Sequence, residues 1–429
     1  MKMKYVTPTF FKHLTTSAAL FVLFVCTSTI GFAYQDTFTT VSGEVIDSQT
    51  KKPLVFATLT VENTNISTVT NSDGEFSIKI PEMHKKGTLV VTFLGYEPET
   101  FQLTGINQEQ VVLSLKTGVI VLSEVDITVP QNAKQLVKDA LSNKDNRYLD
   151  NPTVMTAFYR ETIKRRRKNV SLAEAIVSIY KSPYQNDKRD AIQLEQARKS
   201  TDYSKLDTVA LKLQGGPFNT LYIDVIKYPT YVFSEEAMDN YQYTFLRSKV
   251  INDQRIYVIG FKQYEEISTP LYEGELYIDV DKKVLTSAVF SLNITDKEAA
   301  SKLFVRKKPA NARVWPERVA YRIDYREKNG KWFYGYSNVQ LEFKVDWDDK
   351  LFNSVYTLTS EMAVTDWRIN TEKENIRGKE KYRTNMVLVD KAAGFENPDF
   401  WGTYNIIEPE KSIESAIKKI QRQLRRNSK

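Results

Sequence analysis

Two residue types are nearly missing from this chain of 429 residues: it holds one cysteine and two histidines. Cys26 and His13 both fall in the first 33 residues, a stretch that reads as a removable leader. Without it the chain has no thiol and a single imidazole, His84. That excludes catalysis built on several placed groups of the Ser-His-Asp or Cys-His kind. It also excludes cysteine zinc sites, haem attachment and a disulfide framework. Long apolar runs are missing as well. Beyond the leader, no stretch approaches the ~18 residues a membrane-spanning helix requires. There is no Gly-rich phosphate loop and no internal repeat.

The leader has the marks of an export signal. Lys2, Lys4 and Lys12 precede an apolar run over residues 18–26, and small residues lead to Gly31-Phe32-Ala33. Cleavage is expected after Ala33. The run is too short to cross a bilayer of roughly 30 Å, and Val25 stands where lipidation of Cys26 would call for a small residue. Three lysines and no acids leave with the leader, which takes the net charge from +7 to +4. So weak a balance does not point to nucleic acid. The mature chain is expected to be exported, to the periplasm or the outer membrane, and to be soluble or peripherally held.

The whole chain is 41% hydrophobic and 26% charged, a globular composition at a length that implies more than one domain. Aromatics are abundant, with 24 Tyr and 22 Phe, which favours sheets over helical bundles. Residues 40–116 show short alternating strands broken by turns. Four ordered elements stand out: Gly43/Val45/Asp47, Pro53/Leu54/Ala57, the turn Asp73/Gly74/Phe76, and Gly95/Tyr96. Together they resemble the carboxypeptidase regulatory-like domain, with its G-x-V-x-D strand, P-L-x-x-A step, D-G-x-F turn and final G-Y. Lys51-Lys52 replaces the usual Thr-Gly in one loop. The resemblance implies a transthyretin-like sandwich of seven strands that accompanies catalytic domains without being one. It also implies a bacterial envelope of the Bacteroidetes type, where such modules precede TonB-dependent receptors and related chains.

Residues 117–150 are expected to form a linker, in which residues 122–130 close the sandwich, and a helix over residues 131–143 with Ala133, Leu136, Val137, Ala140 and Leu141 on one stripe. From residue 151 to 407 long alternating strands dominate. Tyr321, Ile323 and Tyr325 share one face, and Arg322, Asp324 and Arg326 the other. Apolar residues on one side mean a sheet that covers something there. The fold class expected is mainly β: a seven-stranded sandwich, then a large curved antiparallel sheet, or half-barrel, with a few helices. In layout the second part is similar to lipoprotein-carrier half-barrels.

Candidate contact residues are basic. Lys164, Arg165, Arg166, Arg167 and Lys168 crowd one hairpin turn, fit either to hold anionic headgroups or to be a solvated tip. Residues 408–429 read as an amphipathic helix with Ile413, Ile417, Ile420 and Leu424 on one stripe and Arg425 and Arg426 opposite. Such a helix suits a membrane surface, a partner, or the cap of its own sheet. Glu161 and Glu174 could meet across a hairpin as an acid/base pair, although alternating Arg and Glu on paired strands usually form salt bridges. Asn71, Asp73 and Glu75 are turn formers rather than a calcium loop, Asp346-Trp347-Asp348-Asp349 reads as a solvated loop, and His84 is expected to be exposed. No cofactor or metal is called for. The reading is a non-catalytic envelope protein that binds an apolar or amphipathic ligand, or a lipoprotein, on a curved sheet. The alternatives are a scaffold of an outer-membrane complex and a carboxylate-based hydrolase.

Overall fold

The computed structural model describes residues 37–104, 110–118, 132–166, 168–201, 214–251, 254–305, 308, 310–349, 351–392 and 400–411. The expected leader, residues 122–130, Arg167 and the helical stripe from Ile413 to Arg426 lie outside them. The described chain is mainly β, as the alternation predicts.

Seven short strands come first: β1 (Phe38–Asp47), β2 (Thr58–Val61), β3 (Ser67–Val69), β4 (Glu75–Pro81), β5 (Thr88–Thr92), β6 (Glu99–Gln102) and β7 (Val111–Leu115). They make two sheets, in the orders β4-β1-β7 and β3-β2-β5-β6. Val45, Leu59, Phe76, Ile78 and Val91 fill the space between them. The ordered motif elements hold one another in place. Asp47 accepts hydrogen bonds from the backbone of Gln49 (2.8 Å) and Thr50 (2.6 Å) and from Tyr96 Oη (2.7 Å). Those bonds, the Thr50 backbone bond first, hold its carboxyl down to about 2. Gly74 turns with φ +78°, and a Cβ there would lie 2.6 Å from Pro53 Cβ, so the turn needs a glycine twice over.

The second part is one open sheet of eleven strands. In chain order they are β8 (Thr153–Arg165), β9 (Lys168–Lys181), β10 (Ala191–Thr201), β11 (Tyr241–Ile251), β12 (Gln254–Gln263), β13 (Tyr272–Asp279), β14 (Val284–Leu292), β15 (Ala312–Lys328), β16 (Lys331–Trp347), β17 (Ser354–Ile369) and β18 (Lys381–Tyr382). Their order in space is β11-β12-β13-β14-β15-β16-β17-β8-β9-β10-β18. All neighbouring pairs are antiparallel. The β15–β16 turn places Asn329 at φ +53° and Gly330 at +77°, the two left-handed residues a tight hairpin demands.

The sheet curves around its inner face. Phe218 packs against Tyr382 on β18, while Phe233 packs against Phe261 on β12. One short stretch of chain thus reaches both ends of the sheet. A helix over Ala133–Ser142, capped by Asn132 Oδ1 on Gln135 N (3.0 Å), lays Leu136, Val137, Ala140 and Leu141 on the same face. Leu221, Val225, Ile226 and Leu388 complete the filling. The inner face is a packed core, covered by these connecting segments rather than by the sheet alone.

Candidate functional site

The outer face carries the alternate residues of the same strands, and the sandwich sits on it. Asn65 Nδ2 donates to Trp367 O (2.5 Å), Ser67 Oγ donates to Val364 O (3.2 Å), and the Phe56 ring stacks on Tyr336 at 4.9 Å. A strap over residues 400–411 ties the two parts further along. Thr68 Oγ1 donates to Ile406 O (2.9 Å), Asn405 Oδ1 accepts from Lys79 N (2.6 Å), and Lys411 N donates to Asp73 Oδ2 (3.0 Å).

Between the β2 and β5 side of the sandwich and strands β14–β16 lies a groove of about 610 Å³. Its walls include Phe56, Trp332, Phe333 and Trp367, and its charged floor Arg322, Asp324, Arg326 and Lys328. Phe56 holds φ +66°, a conformation that costs about 1 kcal/mol or more for a bulky residue. Arg322 stands 5.4 Å over the Phe56 ring and donates from Nε to Asp324 Oδ2 (2.7 Å). Asp324 Oδ1 accepts from Ser287 Oγ (2.6 Å), so that pair is closed. Lys328 Nζ is held by Thr64 O (2.6 Å) and Asn65 Oδ1.

Arg326 differs. Its Nη1 donates to Ser67 Oγ and to Val364 O, both at 2.8 Å. Its Nε and Nη2 are buried, and among the described residues no group accepts from either. Burial lowers its pKa from 12.5 to about 10, which still leaves it charged at neutral pH. Trp332 Nε1, on the groove wall, is a second buried donor with no acceptor among the described residues. The alternation in the sequence put Arg322, Asp324 and Arg326 on one face, but that pattern ordinarily marks a solvated face. Nothing in it says that another domain covers them.

The residues singled out from sequence are dispersed. Lys164 Nζ lies 3.4 Å from Glu410 Oε2 in the strap. Arg165 Nη2 donates to Ser354 Oγ (3.3 Å). Arg166 and Lys168 are exposed, beside the β16–β17 turn where Leu351 and Phe352 are 96% and 78% exposed. Glu161 and Glu174 do not meet. Arg160 is the cross-strand partner of Glu174, and Glu161 opposes Ala173 on the other face. Glu174 Oε1 takes Arg160 Nε (2.8 Å) and its Oε2 takes Arg198 Nε (2.8 Å). Burial works against the Glu174 carboxylate, yet the two arginines outweigh it and its pKa is lowered. Glu161 is buried on the inner face, where it accepts from Tyr159 Oη (2.9 Å), and burial pushes it up to about 8. Asn71 Oδ1 accepts from Asp73 N and Glu75 N, both at 2.9 Å, which is a turn bond. His84 is half-buried rather than exposed, at the end of the short helix Glu82–His84.

Sequence reasoning also passed over a buried ionic cluster in the inner core. Lys181 Nζ lies 2.9 Å from both Asp190 Oδ2 and Asp224 Oδ2. Tyr184 and Tyr325 donate to Asp224 (3.0 and 2.9 Å), and Tyr228 donates to Asp190 (2.7 Å). These bonds engage the lysine, both acids and the three tyrosines, an arrangement that fixes a core.

Residues 41–127 match the family model of the CarboxypepD_reg-like domain. The sandwich carries the module its motif elements imply. No curated protein matches the chain. Among solved structures, similar chains include a domain from Vibrio parahaemolyticus assigned to outer-membrane lipoprotein sorting. It shows 12% identity over 57% of this chain and 96% of its own, with a TM-score of 0.24. A DUF1329 family protein from Desulfovibrio piger shows 9% identity over 56% and 95%, with a TM-score of 0.21. Part of lipovitellin shows 8% identity over 55% of this chain and 27% of that one, at 0.26. Scores this low carry no functional argument. No helix among the described residues is long and apolar enough to cross a membrane.

Proposed function

We propose that this is a non-catalytic, exported envelope protein that binds an amphipathic ligand on the outer face of its curved sheet, in the groove the sandwich closes. The observation that carries the reading is the groove itself. About 610 Å³ of space has aromatic walls and a few fixed polar groups, the size and lining of a small-molecule site. The inner face is a less suitable place, because its aromatic side chains pack against connecting segments of the chain. A hydrolase is disfavoured because Glu174 is neutralised by two arginines and Glu161 stands apart from it. Export rests on the leader, and the envelope on the leader together with the regulatory-like module.

Native mass spectrometry of the chain purified gently from its envelope tests this. The expected result is one amphiphile per chain, lost when Phe333→Asp puts a charge in the groove wall. An empty chain, or a protein bound in place of an amphiphile, would contradict it and favour the scaffold.

The exposed Leu351 and Phe352 beside Arg166 and Lys168 support peripheral contact with an anionic bilayer at that end of the sheet. Sedimentation with vesicles containing phosphatidylglycerol should bring the protein down, and Leu351→Ser with Phe352→Ser should abolish it. Equal sedimentation with neutral vesicles would remove the basic turn from the account.

A further inference from the structure

Arg326 is the unusual charge in the groove. A buried guanidinium that meets only part of its hydrogen-bonding capacity costs stability. Its Nη1 bonds to Ser67 Oγ and Val364 O hold the plane of the group fixed. They leave Nε–H and Nη2–H as a parallel pair of donors, the edge that takes both oxygens of an acid group side-on. Elsewhere on this face the protein fills that edge itself. At Arg160 and at Arg198 both Nε and Nη2 lie 2.7–2.8 Å from a Glu174 oxygen. At Arg326 the nearby acid, Asp324, is occupied by Arg322 and Ser287.

The backbone is shaped to bring Arg326 there. A register shift at Asp324/Tyr325 leaves Gly335 as an extra residue in β16. A Cβ at that position would lie 2.6 Å from Arg326 Cγ and 2.9 Å from its Nε. The arginine stem lies across the one residue type that leaves room for it. Lys328 adds positive charge to the same groove, and Trp332 Nε1 offers a further donor.

We infer that Arg326 recognises the head of the groove's ligand, and that this head is a carboxylate or phosphate taken by the Nε/Nη2 edge once the groups that cover those two atoms move aside, while the aromatic walls take the apolar tail. The inference rests on the groove being the binding site, and it names the chemical class of what binds there. A neutral or cationic amphiphile would leave both donors buried and unmet.

Three probes with one tail separate the two levels. Dodecanoate, dodecyl phosphate and dodecanol are titrated below their aggregation limits into the full chain, and binding is read from tryptophan fluorescence, since Trp332 and Trp367 line the groove. The acid-headed probes should bind about ten- to a hundredfold tighter than dodecanol. Arg326→Met should collapse that ratio towards one. Arg326→Lys, which keeps a charge but has no parallel edge, should leave an intermediate ratio. Whether the carboxylate or the phosphate binds more tightly identifies the source of the head. Equal affinities in the unaltered protein, or a ratio that survives Arg326→Met, would overturn the inference and leave the groove standing. A merely structural arginine would weaken all three probes together. If none of the three binds the unaltered protein, the groove reading falls and this inference falls with it.

Discussion

Arg160 and Arg326 rise from the same face of the same sheet, and Arg160 is buried whole while Arg326 has its Nε and Nη2 closed to solvent, yet the protein treats them differently. Arg160 has Glu174 and Glu361 around it and the carbonyls of Ile407 and Glu408 above it. Burial disfavours its charge, the two glutamates outweigh that, and its pKa is raised. Arg326 has two neutral acceptors on one nitrogen, and burial lowers its pKa. The first arginine fastens the strap to β8 and completes a structural unit. The second is held in a fixed pose with its best donor edge unused. Charge in a protein interior that has been neutralised by the chain's own carboxylates is architecture. Charge left half-satisfied beside a groove points to something outside the chain.

Substitutions should separate the two along a scale of effect. The largest loss is expected at Arg160→Met, which strips Glu361 of its cation and leaves Glu174 with Arg198 alone in the interior. Denaturant unfolding should show about 3–5 kcal/mol less stability, the cost of breaking a buried pair from one side. Lys181→Met, which strands Asp190 and Asp224 in the inner core, belongs in the same class.

Glu161→Gln should act with the opposite sign and only above a certain pH. The folded carboxyl titrates near 8 because it is buried, against 4.5 when unburied. Between those values the unfolded chain releases the proton and the folded chain keeps it. Stability is therefore full below about 4.5 and falls as pH rises to about 8. The glutamine variant lacks that fall. Melting curves of the two proteins should coincide near pH 4.5 and diverge in favour of the variant by more than about 1 kcal/mol above pH 8.

Arg326→Met should change stability by less than about 1 kcal/mol, and in either direction, since it removes two hydrogen bonds together with an unmet buried charge. A loss as large as that at Arg160 would erase the contrast between them. The smallest effect on stability, within about 0.5 kcal/mol, is expected for Leu351→Ser with Phe352→Ser, which should alter vesicle binding alone.

These two arginines also show how far the sequence could be read. Alternation over Tyr321 to Arg326 announced a strand with one apolar face, because the side-chain alternation depends on local backbone geometry. Salt bridging between β8 and β9 was legible too, although the sequence reading set Glu174 against Glu161 and the register sets it opposite Arg160. By contrast β10 passed unnoticed, since Gln193, Glu195, Gln196, Arg198 and Lys199 give it a polar composition. The filling of the inner face by residues 218–233 was hidden as well, because short turns of mixed composition carry no periodicity. The groove was illegible for a further reason. Its charged floor looks like any solvated sheet face until the sandwich and the strap are seen to lie on it, and that depends on contacts between residues some 260 to 340 positions apart, such as Arg326 with Ser67 and Lys411 with Asp73.

On the proposed reading the ligand lies outside the sheet, under the sandwich, and not within the curve. Photo-cross-linking tests it most directly: a dodecanoate carrying a diazirine in its tail, bound to the full chain, irradiated, and the adducts mapped by peptide mass spectrometry. Adducts are expected on Phe56, Trp332, Phe333 and Trp367, competed away by dodecanoate. Adducts on inner-face residues such as Tyr184, Phe218, Phe233 or Tyr241, with the groove unlabelled, would contradict it.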